Sequence, residues 1–352
     1  MSPKGRQRTG AITLREIAEE VGVSTAAVSK VLHGRGGNVR VSDATAVAIR
    51  DAAQRLRYTP NALARSLRMN RTFTVGLVFE NFGEIAAGPL YYVHMLDGVA
   101  SELFRNHYRL TILSEIDHGR AVETVCDGRL DGLIWCKMPE QAEVQQAVMS
   151  GKIPCVALNV PPPKESLGIV YVSCDNEGGS RLVADHLVGL GHRRIAFVLE
   201  KGEESTPDAR ARLAGFRTHL AAHGIDLLEE DVITFSNTAA EFRSWSAART
   251  GHTALYAWNE RMAAEILHRS HECGVRVPQE LSVVGFDSTQ FCETTIPRLT
   301  AVRQPIKPMA QEAARILLDL IEGCAPSTYS SRFPCVLDVR DSTAVASAAG
   351  IR

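Results

Sequence analysis

From residue 74 onward, short β-branched runs alternate with longer stretches of helical period, whereas the first 60 residues show helical period alone. Val75-Gly76-Leu77-Val78-Phe79 precedes a helical stretch near 90–105, and Leu110-Thr111-Ile112-Leu113 precedes one near 119–128. Asp131-Gly132-Leu133-Ile134-Trp135 leads to another near 140–150. Ile195–Leu199, Leu255–Trp258 and Ser282–Phe286 repeat the scheme. Strands that are apolar on both faces and separated by amphipathic helices predict α/β architecture, with parallel sheets covered by helices on both sides.

Open sheets of this kind bind ligands beyond the carboxyl ends of their strands. Several polar residues stand there. Asn259 follows Leu255–Trp258, Asp287 follows Val283–Phe286, Gln304 follows Leu299–Val302, and Arg212 lies in the helical stretch after Ile195–Leu199. A carboxylate, a guanidinium and two amides converging in one cleft grip vicinal hydroxyls, with aromatic faces packing on C–H surfaces. Taken singly, Asn259 and Asp287 also read as helix caps, and Arg212 as a surface ion-pair partner.

The N-terminal pattern is of another kind. Thr13 and Glu16 form a capping box that opens a first helix, with Ile17 and Val21 on its inner face and Ala18 small enough for close approach. Gly22 permits a tight turn, Ser24 caps again, and Val28, Val31 and Leu32 give a second helix its apolar side. Thr25, Ala26, Ser29 and Lys30 are left facing outward, with the short side chains and the cation that a major-groove recognition helix requires. Ser42 and Thr45 open a third helix through Val47, Ala48, Ala52, Leu56 and Tyr58, closing a three-helix core. The same spacing also suits an ordinary helical hairpin.

Charge favours nucleic acid. Residues 1–71 carry 13 Lys/Arg against 5 Asp/Glu, while the remainder carries 26 against 35, so a whole-chain charge of −1 hides a basic head and an acidic body. Thr13, Ser24, Arg35 and Arg40 are the expected contacts to the DNA backbone. The glycines of His33–Asn38 read as a flexible connection, since no strand precedes them and no phosphate-loop Lys-Ser/Thr pair follows. The polar, basic N-terminus reads as an arm that touches DNA. With no long apolar run, neither a secretory signal nor a membrane span is expected, and the chain reads as cytoplasmic. Eight cysteines without a CxxC pair read as buried thiols in a reducing compartment, with no metal site and no cofactor. His268-Arg-Ser-His271-Glu272 lacks the glutamate position of HExxH and reads as a solvated helix face.

After the third helix comes Tyr58-Thr59-Pro60-Asn61-Ala62-Leu63-Ala64-Arg65-Ser66-Leu67-Arg68, with proline where a helix can begin and about two turns beyond it, too few to persist alone in water. TLREIAEEVGVSTAAVSKVL, VSDAT and YTPNALARSL together resemble the lactose-repressor (LacI/GalR) family of bacterial transcription regulators. The resemblance implies a homodimer on a palindromic operator. Its hinge helices would form on the DNA with Asn61, Ala64, Arg65 and Leu67 at the minor groove, Leu67 wedging between base steps. It also implies a two-lobed, periplasmic-binding-protein-like (type I) body.

Ala211–Phe216, Trp258–Ala263, Ser282–Asp287 and Leu299–Gln304 match family segments whose Arg, Asn, Asp and Gln line a cleft for a small effector, here Arg212, Asn259, Asp287 and Gln304. The same correspondence puts Pro89 and Tyr92 in the first-lobe wall, Cys174 at the crossover, and Phe235 as an aromatic platform. There are departures. Glu260 replaces the usual aspartate, the loop Glu80–Glu84 is longer and more acidic than the lactose repressor's, and Trp135-Cys136 replaces a polar position, which leaves the effector's identity open.

The expected domains are a DNA-binding head at 1–59, a hinge at 60–71, an effector-binding and dimerisation body at 72–342 and a tail at 343–352. The tail has no leucine heptads to form a tetramerising coiled coil. No nucleophile elbow, metal-ligand spacing or paired glycosidase carboxylates mark an enzyme. The expectation is a repressor controlled by a sugar or sugar derivative. An activator or corepressor-dependent regulator uses the same parts, and a solute-binding protein shares the two-lobed fold but lacks a basic three-helix head.

Overall fold

The computed structural model describes residues 12–34, 38–59, 71–79, 90–114, 127–138, 148–150, 153–162, 168–204, 206–236, 239–248 and 251–347, together with Ser66, Met69 and Gln146. It divides into two units, Met1–Thr72 and Phe73–Arg352.

In the first unit, α1 (Leu14–Val21), α2 (Thr25–His33) and α3 (Asp43–Arg55) enclose a small core of Ile17, Ala18, Val28, Ile49, Ala52 and Ala53. The capping box is present: Glu16 N–H donates to Thr13 Oγ1 at 3.4 Å, and Thr13 N–H donates to Glu16 Oε2 at 2.8 Å. Gly22, at φ 74°, ends α1 in the left-handed conformation that glycine adopts without strain. Ser24 Oγ then accepts from Ala27 N–H at 3.2 Å and starts α2. The third helix differs from the sequence reading in its inner face. Val47 is 53% exposed and Ala48 is exposed, because the stripe running i, i+3, i+4, i+7 is Ile49, Ala52, Ala53 and Leu56. Tyr58 lies beyond the helix and returns to the core through its N–H bond to Ala53 O.

The second unit holds two sheets. The first comprises β1 (Thr74–Phe79), β2 (Arg109–Ser114), β3 (Gly132–Cys136), β4 (Cys155–Leu158), β5 (Val170–Cys174) and β11 (Ser330–Phe333), in the order β11-β5-β4-β3-β1-β2, all parallel. It carries α4 (Leu90–Arg105). The second sheet comprises β6 (Ile195–Glu200), β7 (Val232–Phe235), β8 (Ala254–Ala257), β9 (Ser282–Asp287), β10 (Thr300–Arg303) and β12 (Val336–Asp338), in the order β12-β10-β9-β8-β6-β7. Its edge strand β12 runs antiparallel to β10, while the other described pairings are parallel. The helices of this lobe are α5 (Asn176–Gly189), α6 (Pro207–Ala222), α7 (Ala239–Ala247) and α8 (Glu260–Glu272).

The chain crosses between lobes after β5, after β10 and between β11 and β12. After β10, α9 (Ile306–Ile321) returns to the first lobe, where Ala310 meets Gly98 and Leu317 meets Gly132. Residues 342–346 bind the second lobe: Ser342 Oγ donates to Val283 O at 2.6 Å, and Ala346 N–H donates to Leu190 O at 2.8 Å. Cys136, Cys155, Cys174 and Cys292 are buried free thiols, whereas Cys273 and Cys335 are half-buried and Cys324 is exposed. No described helix is long and apolar enough to cross a membrane.

Candidate functional site

On the head, Thr25 and Ala26 at the start of α2 are exposed, and Ser29 and Lys30 are half-buried. Lys30 Nζ donates to Val39 O at 2.6 Å, so this cation braces the segment leading to α3 as well as standing on the outer face of α2. Thr13, Ser24 and Arg40 are exposed. Thr13 and Ser24 mark two helix N-termini, where unpaired N–H groups and the helix dipole favour phosphate. Arg35 and the hinge residues Asn61, Ala64, Arg65 and Leu67 lie outside the described residues, as do Pro89, the loop Glu80–Glu84 and the N-terminal arm.

In the body, the candidate site is built around Arg212, which is 1% exposed. Pro207 begins α6 in the first turn, where its missing N–H leaves no bond unmade. One turn past Arg212, Gly215 lets α6 approach α5 so closely that a Cβ there would stand 2.7 Å from Glu177 Cα. This approach brings Asn176, at the start of α5, within reach of the guanidinium. Arg212 Nε donates to Asn176 Oδ1 at 2.9 Å, and Nη1 donates to Trp258 O at 2.5 Å. Nη2 faces Asp287 Oδ1 at 3.6 Å and Asp208 Oδ2 at 3.9 Å. The guanidinium stacks 3.7 Å from the centre of the Phe286 ring.

Asp287 ends β9 with φ 90°, an uncommon conformation for a side chain of this type, and Ser288 follows at φ 45°. Buried Glu260 holds that turn, accepting from Thr289 N–H and Thr289 Oγ1, each at 2.7 Å. Gln304 Nε2 donates to Asp287 Oδ1 at 2.6 Å from the neighbouring strand. The carboxyls are tuned in opposite directions. Burial pushes Asp287 up, with Arg212 holding it back only in part. Burial also acts to raise Asp208, but Lys137 and Arg212 outweigh it and hold that carboxyl below the usual range. Burial and Asp287 raise Glu260.

The structure brings together Arg212, Asp287, Gln304 and Cys174, whose Sγ–H donates to Asn176 Oδ1 at 3.4 Å. Asn259 serves as the cap of α8, its Oδ1 accepting from Met262 N–H at 2.8 Å. Tyr92 packs edge-on against Phe79 and Tyr91 in the first lobe. Phe235 packs with Phe242 and Trp245, at ring distances of 5.9 and 6.3 Å. His268 is an exposed side chain paired with Glu272.

Five residues escaped the sequence reading: Lys137, Asn159, Asn176, Asp208 and Trp258. Lys137 and Asn159 stand just past β3 and β4, so the strand-end rule applied to the first lobe would have found them. Asp208 lies one helical turn before Arg212, the spacing of a facing pair. Asn176 stands two residues past β5 and Trp258 directly past β8, within reach of the strand-end rule.

The comparisons follow the same division. Residues 13–61 match the model for "Bacterial regulatory proteins, lacI family", and residues 184–343 match that for "Periplasmic binding protein-like domain". The HTH-type transcriptional regulator CelR of Thermobifida fusca is 31% identical over 319 residues, covering 88% of this chain and 92% of that protein. The HTH-type transcriptional regulator AscG of Escherichia coli K12 is also 31% identical, over 91% of this chain and 96% of its own length. A solved transcriptional regulator CelR–cellobiose complex superposes with a TM-score of 0.70 at 27% identity, over 94% of this chain and 99% of that one. The lac repressor dimer bound to operator and an anti-inducer shares the fold at a TM-score of 0.80 and 24% identity, over 95% and 100% of the two chains. With a helix-turn-helix head, a two-lobed body and relatives aligned over nearly their whole lengths, this chain belongs to the LacI/GalR family of transcriptional regulators and not to a family of enzymes.

Proposed function

We propose that this chain is a cytoplasmic, homodimeric repressor that holds a palindromic operator until a small carbohydrate-like effector enters the cleft between its two lobes. The observation that carries the reading is the buried Arg212, bound to Asn176 and facing Asp208 and Asp287 beside the carboxyl ends of β8 and β9. A guanidinium between two carboxylates offers both donors and acceptors, as the paired hydroxyls of a sugar require. The relative solved with cellobiose supports this ligand class.

In this reading Thr25, Ala26, Ser29 and Lys30 meet base edges, while Thr13, Ser24, Arg35 and Arg40 meet phosphates. Asn61, Ala64, Arg65 and Leu67 act at the minor groove. Pro89, Tyr92, Cys174, Phe235, Asn259 and Gln304 complete the cleft wall. Movement of the lobes changes the separation of the two hinge segments in the dimer, and the operator is released when the segments no longer pair. The effector shifts that equilibrium only as far as its affinities for the two lobe arrangements differ.

The test pairs operator gel shifts with effector calorimetry on the full chain. Leu67→Ala is expected to keep effector affinity and lose operator affinity and DNA bending, because the wedge that offsets base unstacking is gone. Wild-type bending by that variant would remove the hinge from the minor groove. Effector that strengthens operator binding would replace induction by corepression.

A further inference from the structure

Across the cleft from Arg212, the first lobe contributes Lys137, whose Nζ lies 3.9 Å from Asp208 Oδ2 and 5.7 Å from the centre of the Trp258 ring. Lys137 follows β3 and Asn159 follows β4, and the two strands are paired neighbours, so both residues stand on one edge of the first lobe. Asp208 and Trp258 belong to the second lobe. The Lys137–Asp208 pair is therefore a bridge between lobes, too long for a direct hydrogen bond and short enough for one hydroxyl oxygen to accept from the ammonium and donate to the carboxylate.

Around this bridge lie buried polar atoms without a hydrogen-bond partner among the described residues: Asn159 Oδ1, Gln304 Oε1, Trp258 Nε1 and Tyr91 OH. Burial of an unsatisfied polar atom is unfavourable, so such atoms clustered at a cleft mark the positions a ligand completes. Their chemistry is selective. Asn159 Oδ1 and Gln304 Oε1 accept hydrogen and need an O–H or N–H donor, which a phosphate dianion or a carboxylate does not supply. The cations are already engaged. Arg212 uses Nε and Nη1 in hydrogen bonds and turns Nη2 to two carboxylates, and Lys137 faces Asp208. An anionic ligand would meet Asp208 and Asp287 with no uncommitted cation beside them among the described residues.

We propose that the cleft takes an uncharged polyhydroxylated ligand and discriminates against phosphorylated and acidic sugars, with one ligand hydroxyl bridging Lys137 and Asp208 and others donating to Asn159 and Gln304. This rests on the reading that the effector occupies the interlobe cleft, and makes Lys137, Asn159 and Asp208 its specificity-determining residues. Closure of the lobes on such a ligand tightens the Lys137–Asp208 bridge, so the contact that selects the ligand also joins the two lobes.

The test is a thermal-shift and calorimetric comparison on the full chain, using the matched probes glucose and glucose 6-phosphate, ribose and ribose 5-phosphate, and cellobiose and cellobionate. The expected result is binding confined to neutral members, with the best of them at least about 100-fold tighter than its acidic counterpart. Asp208→Asn, Lys137→Met and Asn159→Ala are each expected to weaken it about tenfold or more, with circular dichroism melting confirming that each variant is folded. An acidic probe that binds as tightly as its neutral partner, and that loses affinity in Arg212→Lys, would overturn the neutral class while leaving the cleft in place. A neutral probe that binds equally well to Arg212→Lys, Asp208→Asn and Asn159→Ala would place the ligand elsewhere and overturn the cleft reading itself. Binding of no probe from either set would overturn the polyhydroxylated class.

Discussion

Glu260 receives both the backbone N–H and the hydroxyl of Thr289 at 2.7 Å, and by doing so fixes the turn that presents Asp287 to the cleft. The strained backbone at Asp287 and Ser288 is held from outside the cleft by a carboxylate that is itself 0% exposed. Glu260→Ala removes the two hydrogen bonds from Thr289, each of about 1.5–3 kcal/mol when charge-assisted, and a third from the Cys292 thiol at 3.2 Å. The variant is expected to melt several degrees lower and to bind effector at least tenfold more weakly, read by calorimetry and melting together. Glu260→Asp, which keeps the charge on a shorter arm, should recover part of both losses. Full effector affinity in Glu260→Ala would show that the turn holds its shape unaided.

Arg212 faces two buried carboxylates, so its removal takes the ion-pair partner from Asp287 and leaves Asp208 with Lys137. Truncating one partner of a buried charged group destabilises by about 3–5 kcal/mol. Arg212→Ala is therefore expected to lower the melting temperature of the second unit as well as effector affinity, while Arg212→Lys keeps the charge but loses the forked geometry that reaches Asn176 and Trp258 together. Operator affinity without effector should change little in Arg212→Lys, because head and hinge are untouched. Gel shifts check this, and a parallel loss of operator binding would count against a purely effector-sensing role.

The pH dependence has opposite signs at the two carboxyls. Asp208 titrates lower in the folded chain than when unfolded, so its contribution to stability is present above the ordinary carboxylate range, about 4, and is lost as the pH falls through the folded value. The melting-temperature gap between wild type and Asp208→Asn should be open at neutral pH and close in acid. Asp287 is raised by burial, so its ionisation weakens the fold as pH rises through its folded value. The deficit of Asp287→Asn should accordingly shrink with rising pH. A gap that widens in acid for Asp208→Asn would contradict the Lys137 and Arg212 pairing.

The proposed function assigns base reading to the exposed start of α2. Exchange of Thr25 and Ala26 is expected to change which operator half-site is selected from a randomised pool, whereas Arg40→Ala should weaken all sequences alike. An unaltered half-site preference in the double variant would assign base reading to another element. Ser24→Ala removes the cap of the same helix and should destabilise the head by about 1 kcal/mol.

What the sequence determined by itself is local. Capping residues and helical period placed α1 and α2, because Thr13, Glu16, Gly22 and Ser24 act within a few residues of themselves. Continuous apolar runs placed β1, β2, β3, β6 and β9, and the strand-end rule reached Asp287 and Gln304. The face of α3 was misread by local pattern, since the choice of Ile49 over Val47 depends on where α1 and α2 sit. Only the tertiary structure decided which polar groups meet. Arg212 and Asn176 are 36 residues apart and join because Gly215 lets two helices touch, and Lys137 meets Asp208 because the end of a first-sheet strand comes up against a helix of the second lobe. Asn259 capping α8 and Phe235 packing on Phe242 are contacts of the same kind, visible only once the elements are in place. Side-chain partners across such distances are set by packing of whole elements, and no short window of sequence contains that information.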